Sequence, residues 1–176
     1  YKNADEFFQG DIDELRIYKT CLDLVSVKKL SQGEEQVGNS NLIAHWNFND
    51  DVRNRASSVH EQRELEKIGE ELQFVSGRSG KALSFNGKDQ TLLVESYVGL
   101  KPTTGQITFA VWIRPDSVPE TWLIIYRKED GSARQLLAIG GPRENCGLWC
   151  GIGIDAGYIE VGGRISREVL LNGKWH

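Results

Sequence analysis

Hydrophobic and polar positions alternate along most of this chain. Across 106–114, Ile107, Phe109, Val111 and Ile113 fall on one face and Thr108, Ala110 and Trp112 on the other. A period of two carried by β-branched and aromatic residues predicts a strand packed on at least one side. The pattern recurs at 42–48, where Leu42, Ala44, Trp46 and Phe48 oppose Ile43, His45 and Asn47. Further runs predict strands at 82–85, 91–95, 122–128, 134–139, 148–154, 158–161 and 168–171. Asn86-Gly87, Asp130-Gly131, Gly140-Gly141-Pro142 and Asn172-Gly173 supply turn chemistry between them. Short strands at close spacing predict an all-β, antiparallel sandwich or barrel.

Two segments break the period. Residues 22–30 carry Leu22, Leu24, Val25, Val27 and Leu30, with Asp23 near the start and Lys28-Lys29 near the end. That charge order suits the helix dipole and predicts one short helix. In 61–72, Leu65, Ile68 and Leu72 make a helical stripe interrupted by Gly69, so the segment reads either as a helix or as a charged loop leading into a strand. Residues 33–41 have linker composition and separate 1–32 from the β-rich body at 42–176.

The chain has 176 residues, 39% apolar and 26% charged, which suits one globular domain and excludes collagen, coiled coil and wholesale disorder. No apolar run approaches the ~20 residues of a membrane-spanning helix. A net charge of −4 and a pI near 5.5 lack the basic footprint of a nucleic-acid binder. With no Met and Tyr1 at its start, the chain reads as a processed or excerpted piece of a longer protein. Three cysteines leave at least one thiol unpaired within the chain; Cys146 and Cys150 either bridge across a tight turn or are small buried thiols.

The segment Gly10-Asp11-Ile12-Asp13-Glu14-Leu15-Arg16-Ile17-Tyr18 resembles the closing strand of laminin-G-like, concanavalin-A-like jelly-roll domains, and Ser26-Val27-Lys28-Lys29-Leu30 looks like the helix that follows it. Leu42-Ile43-Ala44-His45-Trp46-Asn47-Phe48-Asn49-Asp50 looks like the opening strand of another such domain. Gly80-Lys81-Ala82-Leu83-Ser84-Phe85-Asn86-Gly87, the strand at 107–115 and Gly173-Lys174-Trp175-His176 resemble later landmarks. The landmarks cover most of the chain, but the closing phrase comes first. The resemblance therefore implies an antiparallel jelly-roll β-sandwich, incomplete at its C-terminus. In it, either 1–32 ends one copy, 33–41 links and 42–176 begins the next, or the order is that of a circular permutant in which the closing strand folds back on the copy that follows it. The strand near 13–18 can then pair with 42–48, and an open sheet edge needs neighbouring chain or a partner to cover it.

This fold also houses β-glucanases, which place acids at i and i+2 along a strand. Asp11 and Asp13 meet the first spacing, but Leu15 holds the next same-face position, so no catalytic residue is assigned. Ile12 and Leu15 should both be buried yet differ in parity, and a β-bulge at Asp13-Glu14 would reconcile them. The resemblance implies a structural calcium near the junction of opening and closing strands, held by some of Asp13, Asn49, Asp50, Asp51 and Asn54, oxygen donors of the kind Ca²⁺ takes. Asn at 49 and 54, where the family more often has Asp, lowers the ligand charge.

Gly77-Arg78-Ser79-Gly80-Lys81-Ala82 is too short for a phosphate loop and reads as a turn into a strand. His45, His60 and His176 show no zinc spacing. Of five tryptophans, the resemblance implies that Trp46 and Trp112 lie in the core, whereas Trp122 and Trp149 are the candidates for ligand stacking. The implied function is a non-catalytic recognition or adhesion module for glycan or protein in an extracellular or cell-surface multidomain protein. The alternatives are a structural spacer or assembly module, and an accessory domain of a glycoside hydrolase.

Overall fold

The computed structural model describes residues 6–35, 37–56, 64–94, 100, 105–130, 133–142, 145–154 and 157–176. Its organising element is β1 (Gln9–Tyr18). One edge of β1 pairs antiparallel with β7 (Thr108–Pro115) over its whole length. The other edge is shared: residues 9–12 pair with β5 (Lys81–Asn86) and residues 15–18 with β2 (Leu42–Trp46). β4 (Gln73–Ser76) extends the sheet beyond β5. A second antiparallel sheet runs β11-β10-β9-β8, from β8 (Trp122–Asp130) through β9 (Ala133–Gly140) and β10 (Gly147–Ile154) to β11 (Gly157–Arg164). β3 (Glu66–Ile68) and β6 (Thr91–Leu93) form a separate two-stranded ribbon.

The two main sheets bury one core between them. Ile12, Leu15 and Ile17 of β1 cluster with Trp46, Leu83 and Ile113 from the first sheet and with Leu123 and Ile139 from the second. Phe109 and Tyr126 join the layers with ring centroids 5.2 Å apart. The fold is thus an all-β antiparallel sandwich with short helices, as the alternation predicts.

A bulge is present one residue further along than the expected Asp13-Glu14, at Glu14-Leu15. Asp13 faces Trp112 and Arg16 faces Ala110, so two residues of β1 oppose only Val111 of β7. Glu14 takes φ 53°, a left-handed conformation that costs a non-glycine residue about 1 kcal/mol or more. The extra residue lets Ile12 and Leu15 reach the same core despite their odd spacing.

Helix α1 (Leu24–Ser31) begins two residues after the expected start at Leu22, capped by Asp23, whose side chain accepts from Ser26 N. Its Leu30, with Val37 from the 33–41 segment, packs on Tyr18 and Leu42 in a small second cluster on the outer face of the first sheet. Leu42 leaves the alternation because the β1–β2 register shifts between Ile17 and Tyr18, which sends Ile43 into the main core instead.

Three expectations are corrected or decided. Residues 168–171, expected as a strand, lie largely in α2 (Arg167–Leu170), because Ser166 caps a turn by accepting from Val169 N and Leu170 alone is buried. From Glu64 on, the 61–72 segment is extended rather than helical: Glu64 bridges Arg53, and β3 pairs with β6. Trp112 is not in the core. It sits on the outer face opposite Asp13, under the Arg78 guanidinium, which lies 4.9 Å from its ring centroid. The strands at 66–68 and 73–76 are too short and too polar for the alternation to reveal them.

Ile17 is fully buried in the strand that three others share. Ile17→Ala is expected to lower unfolding free energy by about 3 kcal/mol, whereas Val161→Ala, at a position 63% exposed, should change it by less than ~0.5 kcal/mol. Urea unfolding of both variants checks this, and equal losses would contradict the placement of β1.

Candidate functional site

The second sheet carries its chemistry on the face turned away from the core. Leu123 and Ile139, opposite each other in the β8–β9 ladder, point inward. Their neighbours Trp122 and Ile124 on β8, and Gly140 and Ala138 on β9, therefore point outward. Register carries that face across the sheet: Trp149 opposes Ala138 on one side and Gly162 on the other, and Gly147 opposes Gly140 and Arg164. Reading across the strands gives Trp122, Gly140, Gly147 and Arg164 in one row. Ile124, Ala138, Trp149 and Gly162 form the next.

The two tryptophans singled out from sequence meet here. Trp122 and Trp149 lie edge to face, with centroids 5.3 Å apart and planes at 81°. The floor beneath them is glycine. A Cβ at Gly162 would collide with the Trp149 ring, and one at Gly141 would approach the Trp122 ring to 2.6 Å. Both rings are half-buried. Trp149 Nε1 is buried with no hydrogen-bond partner, a desolvated donor that costs ~1–3 kcal/mol. Further along the same face, Arg134 lies 4.8 Å from the Tyr158 ring centroid. An aromatic corner of this kind can stack the apolar face of a sugar ring.

A second constellation lies on the outer face of the first sheet. Asp11 Oδ2 accepts from Arg114 Nε at 2.9 Å and Nη2 at 2.6 Å, and the same guanidinium lies 5.0 Å from the Trp175 ring centroid. Asp13 is 0% exposed. Its Oδ2 accepts from Arg78 N at 2.9 Å and Ser79 N at 3.0 Å, anchoring the turn between β4 and β5. Gly77 permits this approach, since a Cβ there would lie 2.7 Å from Asp13 Oδ2. At the bulge, Glu14 Oε2 accepts from Arg16 Nη2 and lies 2.7 Å from His45 Nε2. No sequence spacing announced the Glu14–His45 pair, which exists only because β1 and β2 are neighbours.

The five oxygen donors considered for calcium divide between two places. Asp13, Asn49 and Asp50 meet the 77–81 turn: Asn49 Oδ1 accepts from Lys81 N at 2.8 Å, and Asp50 Oδ1 lies 3.3 Å from Lys81 Nζ. Asp51 and Asn54 organise their own loop. Asp51 accepts from Arg53 N and Arg55 Nη2, and Asn54 Oδ1 accepts from His45 N and Ala56 N. Among the described residues, no group of three or more His, Cys, Asp or Glu side chains stands together as a metal site. The one atom of the set left buried without a partner is Asp13 Oδ1. Cys21, Cys146 and Cys150 are all free thiols. No described helix is long and apolar enough to cross a membrane.

No family model matches the chain, and no curated protein or solved structure matches it either.

Burial pushes the Asp13 carboxyl up to about 6, helped by the neighbouring Glu14 charge and opposed by the Ser79 and Arg78 amides. Below the unfolded value near 4, both states hold the proton; between about 4 and about 6 only the folded state does. Stability therefore falls as pH rises through that interval, by ~3 kcal/mol, and is flat with respect to this group above it. Asp13→Asn should remove that slope. Urea midpoints of both proteins across the interval, in chelator, check it; identical slopes would contradict the assignment.

Proposed function

We propose that this chain is a non-catalytic recognition or adhesion module whose ligand is a glycan, bound on the outer face of the second sheet. The observation that carries this reading is the Trp122–Trp149 corner over a glycine floor. Two aromatic rings set nearly at right angles suit a sugar ring wedged against one face and bordered by the other. The setting in a larger multidomain protein outside the cytoplasm belongs to the same proposal and rests on the laminin-G-like resemblance.

The carboxylates support a non-catalytic role. Asp11 is committed to Arg114, Asp13 to the backbone of a turn, and Glu14 to Arg16 and His45. Catalysis of glycoside hydrolysis needs an acid and a base flanking an open cleft, and these three are all buried.

Glycan-array binding tests the reading. The unmodified chain is expected to give saccharide signals that fall at least ~tenfold with Trp122→Ala and with Trp149→Ala, in line with the ~1.4 kcal/mol or more that one lost stacking contact removes. A blank array, or signals unchanged in both variants, would overturn it.

Calcium enters the proposal through Asp13 Oδ1, with Asn49 beside the same turn. A bound cation there would brace the 77–81 turn and hold the Asp13 carboxylate ionised. Calcium is then expected to raise the melting temperature at neutral pH, with the gain lost on chelation and in Asp13→Asn. Melting curves that coincide with and without calcium would remove it from the reading.

A further inference from the structure

We propose that two copies of this chain associate edge to edge through β11, antiparallel across a two-fold axis at Gly162. β11 ends the second sheet, and no other described strand pairs with its outer edge. All eight of its residues are exposed, with Ile159 at 50% and Val161 at 63%. Lys and Pro, the residues that commonly blunt such edges, are absent from Gly-Tyr-Ile-Glu-Val-Gly-Gly-Arg.

Backbone direction restricts the register. Ile165 N donates to Cys146 O at 3.0 Å, which turns the odd-numbered amides of this ladder toward β10. Tyr158, Glu160, Gly162 and Arg164 therefore direct their N–H and C=O groups outward. A two-fold at Gly162 pairs only outward-facing residues: Gly162 with its own copy, and Glu160 with Arg164 of the second copy.

The side chains agree with that register. Glu160 and Arg164 share one face of the strand, so the axis creates two opposite-charge cross-strand pairs. Arg164 uses Nη2 toward Asn145 Oδ1 at 3.2 Å, and its other guanidinium N–H groups can serve the second copy. On the opposite face, Val161 falls over Gly163 of the second copy, a position where a side chain would meet nothing within 4 Å. Ile159 falls beside Ile165. Charge meets charge, bulk meets space, and the paired sheets become one continuous eight-stranded sheet.

The inference stands apart from the glycan reading, although it has a consequence for it. A two-fold perpendicular to the sheet leaves both Trp122–Trp149 corners on the same side, so a dimer would present two equivalent corners to one surface.

Sedimentation velocity over a wide concentration range tests the pairing. The unmodified chain is expected to dimerise, more weakly at high salt. Glu160→Arg alone and Arg164→Glu alone each place two like charges opposite one another and should weaken self-association ~tenfold or more. Mixed one to one, these two variants should form a heterodimer, and the double variant should recover the homodimer. Far-UV circular dichroism confirms that each variant is folded. A monomer at every concentration, single variants that dimerise like the unmodified chain, or a mixture that stays monomeric would each overturn the proposal.

Discussion

Two strands share one edge of β1 while a third takes the other, and the β-bulge at Glu14-Leu15 is how the chain satisfies them. Upstream of the bulge β1 is paired with β5, downstream with β2, and along its other edge with β7 throughout. Without the extra residue, Ile12 and Leu15 would face opposite sides and one of them would leave the core. The strain at Glu14 is held by its contacts with Arg16 and His45, and the buried Asp13 fixes the turn that delivers β5. Core packing and polar satisfaction are thus solved by the same two residues.

That division assigns different work to the two sheets. The outer face of the first is crowded with committed charge: Asp11 with Arg114, Arg78 over Trp112, Glu14 with Arg16 and His45. Its groups are engaged in holding the fold, which leaves little for a ligand. On the outer face of the second sheet, Gly162 and Gly141 lie close against the Trp149 and Trp122 rings. Small residues beside large ones make relief on a sheet, and relief with an aromatic wall is what a sugar ring can use. The same sheet ends in the exposed strand β11, so the proposed glycan corner and the proposed pairing edge are neighbouring parts of one surface.

Much of this was legible in the residues. Period-two alternation marked β2, β7, β8 and β9, because each packs a single face on the core. The parity conflict between Ile12 and Leu15 announced the bulge. Trp122 and Trp149 were legible as candidates, but their meeting was not, since it depends on the register between β8, β9 and β10. Trp112 misled because its core place was carried over from the resemblance, whereas the alternation sets it on the face opposite Phe109, Val111 and Ile113. Glu168–Leu171 misled for a local reason: Ser166 offers a helix cap that outweighs four residues of weak strand preference. The Glu14–His45 pair joins residues 31 positions apart, and nothing but the pairing of β1 with β2 brings them together.

If β1 is the strand on which both sheets depend, its backbone should open only when the whole domain does. Native-state hydrogen exchange resolved to single amides measures this directly. Amides of Ile12, Leu15 and Ile17 are expected among the slowest in the molecule, exchanging with the free energy of global unfolding, while the outward amides of β11 exchange far faster in monomeric protein. Amides of β1 that exchange through local opening, at rates like those of β11, would contradict its central place.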